Sequence, residues 1–245
     1  RAAGKNKPVI AFGLGVYEWS SWDGIENCPG GFFKCNQYVP FNLQRFQIWD
    51  QIINGAVGVT FWGLSDTCYS YVDNPGWVGM AAGSMDPKYC DNQFAQATAI
   101  SKELASLYEV LLEPYYYDEW TVNNENIEIM MKKHNGKIYL LTTSTAYEDL
   151  YNVTISLPRY NINSVQAINE VANGDITHIF NRSLAISSDK HSFSDAYVGE
   201  DATAIQGKAA PGYAVHIYEI TADAVPNPPT GLKIVPASSS SPFAP

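Results

Sequence analysis

The feature that most limits what this chain can fold into is a pair of short apolar runs, residues 8–17 (PVIAFGLGVY) and 56–62 (AVGVTFW). Neither alternates polar with apolar, as a strand with one wet face would. Such runs suit strands buried on both faces, as in a parallel sheet covered by helices. Each is followed by a long loop and then a helical pattern. After the first, loop 18–40 is rich in Gly, Trp, Phe and Cys. Asn42 is then placed to cap a helix carrying Leu43, Phe46, Trp49 and Ile53, which Asn54-Gly55 ends. After the second, loop 63–89 leads to Asp91, the expected cap of one long amphipathic helix. Phe94, Ala97, Ile100, Leu104, Leu107 and Leu111 line one side of it, and Pro114 stops it. Strand, loop and helix repeated in series make two β/α units. Two parallel strands cannot bury both faces alone, so the rest of such a sheet must be supplied from elsewhere. In an eight-unit barrel that means about six further units upstream. The abrupt opening Arg1-Ala2-Ala3-Gly4-Lys5-Asn6-Lys7-Pro8 reads accordingly as a cut chain.

After Tyr115-Tyr116-Tyr117 the period changes. Residues 127–132, 137–143, 153–157, 164–169, 177–180, 192–196 and 213–220 are short strand-like runs. Turn signals such as His134-Asn135-Gly136, Ala172-Asn173-Gly174 and Pro211-Gly212 separate them. Many short strands at this spacing read as an antiparallel β-sandwich. The tail holds Pro-Asn-Pro-Pro-Thr-Gly-Leu and then a serine run, the start of a fibronectin-type module followed by a linker. The expected class is therefore α/β plus all-β: the last β/α units of a TIM-type barrel, then a sandwich. Residues 1–116 form the barrel portion, 117–222 the sandwich and 223–245 the Pro/Ser-rich linker.

Composition removes several functions. With 25 acidic against 15 basic residues, the net charge is −10 and there is no basic footprint for a nucleic acid. No apolar run reaches the roughly 18 residues that a membrane span needs. The histidines, His134, His178, His191 and His216, are scattered without ligand spacing, so neither a metal nor another cofactor is expected. No P-loop and no GxSxG elbow occur, and Gly13-Leu14-Gly15 lacks the third glycine of a dinucleotide fingerprint. The chain holds 16 Tyr, 10 Phe and 6 Trp. Rings in loops grip neutral sugars by stacking on their C–H faces, whereas rings in strands fill cores.

Cys28, Cys35, Cys68 and Cys90 fit neither a paired CxxC zinc site nor a redox CxxC. Four cysteines permit three connectivities. Sequential pairing, Cys28–Cys35 and Cys68–Cys90, would staple two long loops, each crosslink adding about 2–3 kcal/mol. Sequons at Asn152 and Asn181, taken with the cysteines and the tail, favour a secreted or extracellular glycoprotein.

The order of these parts resembles the C-terminal end of (β/α)8-barrel glycoside hydrolases of the retaining clan, over about residues 5 to 220. Lys7-Pro8-Val9-Ile10 is similar to the approach to a late barrel strand. RFQIWDQIINGAVGVTFWG (45–63) resembles the helix-to-last-strand passage that closes such barrels. ELASLYEVLLEP (103–114) and the strand 213–220 resemble the following helix and the last strand of the C-terminal sandwich. The resemblance implies a carbohydrate substrate and hydrolysis of O-glycosidic bonds by paired carboxylates, about 5–5.5 Å apart in retaining and about 6.5–9.5 Å apart in inverting enzymes. It also implies a site at the C-terminal ends of the strands.

Glu18, just past the first run, resembles the nucleophile, although Gly13-Leu14-Gly15 is expected to bend the strand before it. Trp62, ending the second run, resembles the floor of a sugar subsite, with Asp66 beyond it. Trp19, Trp22 and Asp23 form an aromatic–acidic cluster in the first loop, suited to sugar contact. The acid/base partner belongs to an earlier strand, so the missing N-terminal part of the barrel is an expected partner and the isolated chain is expected to be inactive. The plain alternatives are a solvated loop acid for Glu18 and core packing for the tryptophans. A second class of function is a non-catalytic extracellular structural glycoprotein, a fibre or matrix subunit that self-assembles on a hydrolase scaffold. A third is a pair of carbohydrate-binding modules without turnover. Fold alone does not choose among them.

Overall fold

The structure, a computed structural model, describes residues 9–13, 17–19, 36–38, 41–61, 93–171, 176, 178–199 and 212–225. The two apolar runs form strands β1 (Val9–Gly13) and β4 (Ala56–Phe61), hydrogen-bonded to each other in parallel, with Gly13 opposite Phe61. Between them come β2 (Tyr17–Trp19) and β3 (Asn36–Tyr38), a short antiparallel pair, and helix α1 (Phe41–Ile53). The parallel pair is a sheet of two strands. The expected TIM-type barrel is therefore corrected: the described strands do not close into one. Two β/α units supply two parallel neighbours, and the chain's later strands pair with one another instead.

Helix α1 begins two residues earlier than expected, at Phe41, and the Asn42 side-chain amide donates to the Gly212 carbonyl at 3.1 Å. It ends where expected: Gly55 adopts φ +100°, and its N–H closes the last turn on the Ile52 carbonyl. The buried face is Phe41, Gln44, Arg45, Ile48, Trp49, Ile52 and Ile53, rotated from the expected stripe so that two polar residues point inward. The long second helix is broken into α2 (Gln93–Ser106) and α3 (Tyr108–Leu112). At the break the Ser106 hydroxyl donates to the Glu103 carbonyl, and the Leu107 N–H is shared between the Glu103 and Leu104 carbonyls. Competition for those carbonyls loosens the ladder there. Lys132, buried, reaches the Leu111 carbonyl at 3.1 Å and the Glu113 carbonyl at 2.5 Å and so caps the end of α3.

Beyond α3 lie β5 (Thr121–Val122), β6 (Ile127–His134), β7 (Lys137–Ser144), β8 (Leu150–Ser156), β9 (Tyr160–Val171), β10 (Ile179–Ser183), β11 (Ser192–Tyr197) and β12 (Val215–Ala224). They form a five-stranded antiparallel sheet, β10-β9-β12-β7-β6, and a three-stranded one, β11-β8-β5. The β6–β7 hairpin turns on Asn135 (φ 48°) and Gly136 (φ 75°), the left-handed pair that a two-residue turn demands.

The larger sheet is covered on both faces. Ile129, Met131, Leu140, Ile162, Tyr218 and Ile220 meet Val153, Ile155, Phe193 and Tyr197 of the smaller sheet in one core. Met130, Tyr139, Leu141, Val215 and Ile217 point the other way, into a second core with Phe41, Ile48, Trp49 and Ile52 of α1, Ile100 of α2 and Val110 of α3. That is why β7 carries the unbroken apolar run 138–141: successive side chains alternate faces, and both faces are dry. Strand β8, with one wet face, alternates. The architecture is thus mixed α/β plus all-β, with the helices laid on the antiparallel sheet.

Cys28, Cys35, Cys68 and Cys90 lie outside the described residues. The expectation of disulfides is corrected: none is found among the described residues, and no crosslink contributes to the packing just described.

Candidate functional site

The expected site lies at the C-terminal end of the β1–β4 pair. The strands finish level, Gly13 against Phe61, and the chain re-enters a strand at Tyr17. Glu18 is the central residue of β2, opposite Gln37, and Trp19 is opposite Asn36. Five residues of chain reach at most about 18 Å, so the Glu18 backbone stays near the end of β1. Gly13 is the last residue of β1, and Leu14 and Gly15 of the segment expected to bend lie outside the described residues. Trp62 follows Phe61 directly in sequence. It lies outside the described residues, as do Trp22, Asp23 and Asp66.

Sequence reasoning missed a buried polar system beneath α1 and α2. Arg45 and Glu103, both below a tenth exposed, form a two-pronged ion pair, Nη2 to Oε1 at 2.5 Å and Nε to Oε2 at 3.0 Å. Arg45 also donates to the carbonyls of Val215 (2.8 Å) and Asn169 (3.2 Å), and the Trp49 indole donates to Glu103 at 3.0 Å. Burial by itself would favour a neutral guanidine; the Glu103 carboxylate outweighs it and raises the Arg45 pKa. The signal was present in the sequence. Arg45 falls among Phe41, Ile48 and Trp49 on one helical face, and Glu103 between Ile100 and Leu107 on another.

A second chain of polar contacts crosses the antiparallel sheets. His216 Nδ1 lies 2.8 Å from Glu170, while Arg182 grips Asp195 through two bonds of 2.9 and 2.8 Å and approaches Glu170 at 3.5 Å. The Tyr218 hydroxyl donates to Asp195 (3.0 Å) and lies 3.2 Å from the Tyr197 hydroxyl, and Tyr197 meets Thr142 at 2.7 Å. Burial pushes Glu170 and Asp195 upward, but His216 with Arg45 and Arg182 for the first, and Arg182 with His216 for the second, more than reverse it. Both carboxyls sit below their ordinary values.

Beside Arg45 and Glu103 opens a cavity of about 530 Å³, lined also by Phe41, Thr98, Lys102 and Asn169. Its buried carboxylate, Glu103, is committed to Arg45 and Trp49. A locked, single carboxylate suits neither role in glycoside hydrolysis. Among the described residues no group of three or more His, Cys, Asp or Glu is placed to hold a metal ion, and no helix is long and apolar enough to cross a membrane. Both sequon asparagines are exposed. Asn152 adopts a left-handed conformation (φ 57°), and the Asn181 side-chain oxygen accepts from the Asn169 N–H at 3.2 Å.

No family model matches the chain, and no curated protein matches it. Among solved structures it is remotely similar to several carbohydrate-active enzymes. A glycoside hydrolase family 30 subfamily 8 xylanase from Clostridium acetobutylicum matches at 10% identity and TM-score 0.38, over 75% of this chain and 39% of that one. A maltogenic α-amylase from Thermotoga neapolitana matches at 7% and 0.40, over 76% and 37%. An isomaltulose synthase from Klebsiella sp. LX3 matches at 9% and 0.40, over 89% and 44%. The chain thus spans about two-fifths of the length of each.

Proposed function

We propose that this chain is the C-terminal part of a secreted carbohydrate-active protein of glycoside-hydrolase type, with Glu18 as the nucleophilic carboxylate. One observation carries the reading: β1 and β4 are parallel and end level, and the chain continues from those ends into Glu18 and Trp62. Parallel strands collect chemistry at their C-terminal ends because the loops leaving that end converge there. In this reading Glu18 attacks the anomeric carbon, an acid from an upstream strand protonates the leaving oxygen, and a glycosyl-enzyme intermediate forms and is hydrolysed. Trp62 floors the subsite, and Trp19, Trp22, Asp23 and Asp66 contact the sugar. The missing strands of the ring come from the N-terminal side of the full-length protein. Exposed Asn152 and Asn181 support passage through a glycosylating, secretory route.

The test uses the full-length protein. Glu18→Gln should lower glycosidase turnover at least about a thousandfold while leaving the thermal transition within a degree or so of wild type. Retained turnover removes Glu18 from the mechanism. A full-length wild type that cleaves no glycan favours a structural glycoprotein on the same scaffold.

A further inference from the structure

Three rings form a tilted, edge-to-face stack at the surface where α1 meets the approach to β12. Phe46 of α1 lies 4.9 Å from Tyr213, and Tyr213 lies 5.5 Å from Tyr147, edge to face at 76°. The stack emerges from the interior in steps. Phe46 and Tyr213 are half-buried, but Tyr147 is 82% exposed, unlike the wholly buried Tyr197 and Tyr218. A latch between helix and sheet would bury its outermost ring. This one is held in the open.

The holding is elaborate. Gly212 (φ 75°) and Tyr213 (φ 51°) are consecutive left-handed residues, a conformation that a tyrosine rarely takes. A side chain at position 212 would collide with the Ala146 carbonyl oxygen and the backbone of Tyr147 and Glu148. The Gly212 N–H donates to Asp149 at 3.0 Å, its carbonyl accepts from Asn42 at 3.1 Å, and the Tyr213 N–H donates to the Ala146 carbonyl at 3.1 Å. Strain of this kind persists only where the surroundings over-determine it, and here it fixes the Tyr213 ring between its neighbours.

We infer that Phe46, Tyr213 and Tyr147 form a second, non-catalytic platform for a neutral polysaccharide, with Tyr147 stacking on the C–H face of a pyranose. The inference rests on the carbohydrate reading above and deepens it. A rigid tyrosine offers a flat apolar face at low entropic cost and a hydroxyl at its rim. Exposed Glu148, next in the chain, adds an acceptor for sugar hydroxyls. The chain's net charge of −10, with Glu148 and Asp149 at the platform, disfavours an anionic glycan.

Affinity electrophoresis of the full-length protein tests this, in gels containing soluble starch, arabinoxylan or mixed-linkage β-glucan, with pectin as the anionic control. Wild type should be retarded by at least one neutral glycan and not by pectin. Tyr147→Ala should weaken that retardation about tenfold or more. Tyr147→Trp should keep it, and Glu18→Gln, run beside them, should keep it as well. Because Tyr147 is exposed, the alanine variant should retain the wild-type thermal transition, and its turnover on a short substrate should be unchanged. Equal retardation of wild type and Tyr147→Ala, retardation by none of the neutral glycans, or a Tyr147→Ala effect confined to the sedimentation state would each overturn the platform. Loss of turnover in Glu18→Gln with Tyr147→Ala still retarded would overturn the platform alone and leave the catalytic reading standing.

Discussion

The antiparallel sheets and the parallel pair stand in opposite conditions within one chain. Every strand from β6 to β12 belongs to a sheet of three or more, and the larger sheet has a dry core on each face. The β1–β4 pair is a two-stranded sheet whose Val57 is 70% exposed. Yet α1, which links the two regions, buries its face against the antiparallel sheet through Arg45, Trp49 and Ile48. The helices belong energetically to the complete region. The parallel strands form a smaller sheet, and they carry the proposed chemistry.

The largest effect that would break this contrast concerns the helix anchor. Glu103→Leu strands the Arg45 charge in the interior and should cost about 3–5 kcal/mol in urea unfolding. Adding Arg45→Met should recover most of it. A loss below about 1 kcal/mol would mean that the helices are not held by this clamp. Next, Leu140→Ala empties a site packed from both sheets and should cost about 3 kcal/mol, against less than about 1 for Val59→Ala in β4. Equal losses would erase the distinction between the regions.

Asp195→Asn should cost about 2 kcal/mol at neutral pH by weakening the Arg182 grip. It should also flatten the acid limb of stability. The sign follows from depressed carboxyls: Glu170 and Asp195 stabilise the fold above their ordinary values of 4.5 and 3.8, and that contribution is lost as pH falls through their lower folded values. Urea midpoints measured between pH 7 and pH 2 should therefore drop steeply for wild type and less for the variant. Smallest is Gly136→Ala, about 1 kcal/mol, since the added methyl meets open space and only the left-handed backbone resists it.

How much of this could be read from the residues follows from where information is local. Asn135-Gly136 announced a hairpin because only such residues take two left-handed positions, and the two apolar runs announced parallel neighbours. The helix faces were harder. Apolar counting chose Leu43 and Phe46 on α1, while the fold buries Gln44 and Arg45, whose carboxylate and carbonyl partners lie 58 and 170 positions away for Arg45. No local window holds that pairing. Strand β5, two residues long, has no pattern to detect, and β9 starts at Tyr160 because Tyr160 and Ile162 fill the shared core. The ring stack was invisible for the same reason: Phe46 lies on α1, while Tyr147 and Tyr213 lie on two connections far from it in sequence. Glu18 was read as following the first strand directly; it is instead the central residue of a further short strand, β2, and Trp62 lies outside the described residues.

Native-state hydrogen exchange on the 245-residue chain alone addresses the contrast directly. Amides of β4 from Gly58 to Phe61 should exchange at least about a hundredfold faster than those of Leu140, Leu141 and Tyr218, because β4 gives the helix core half-buried Val59 where β7 and β12 give it fully buried residues. Protection of β4 equal to that of β7 and β12 would contradict the account, for the parallel pair would then be complete as it stands.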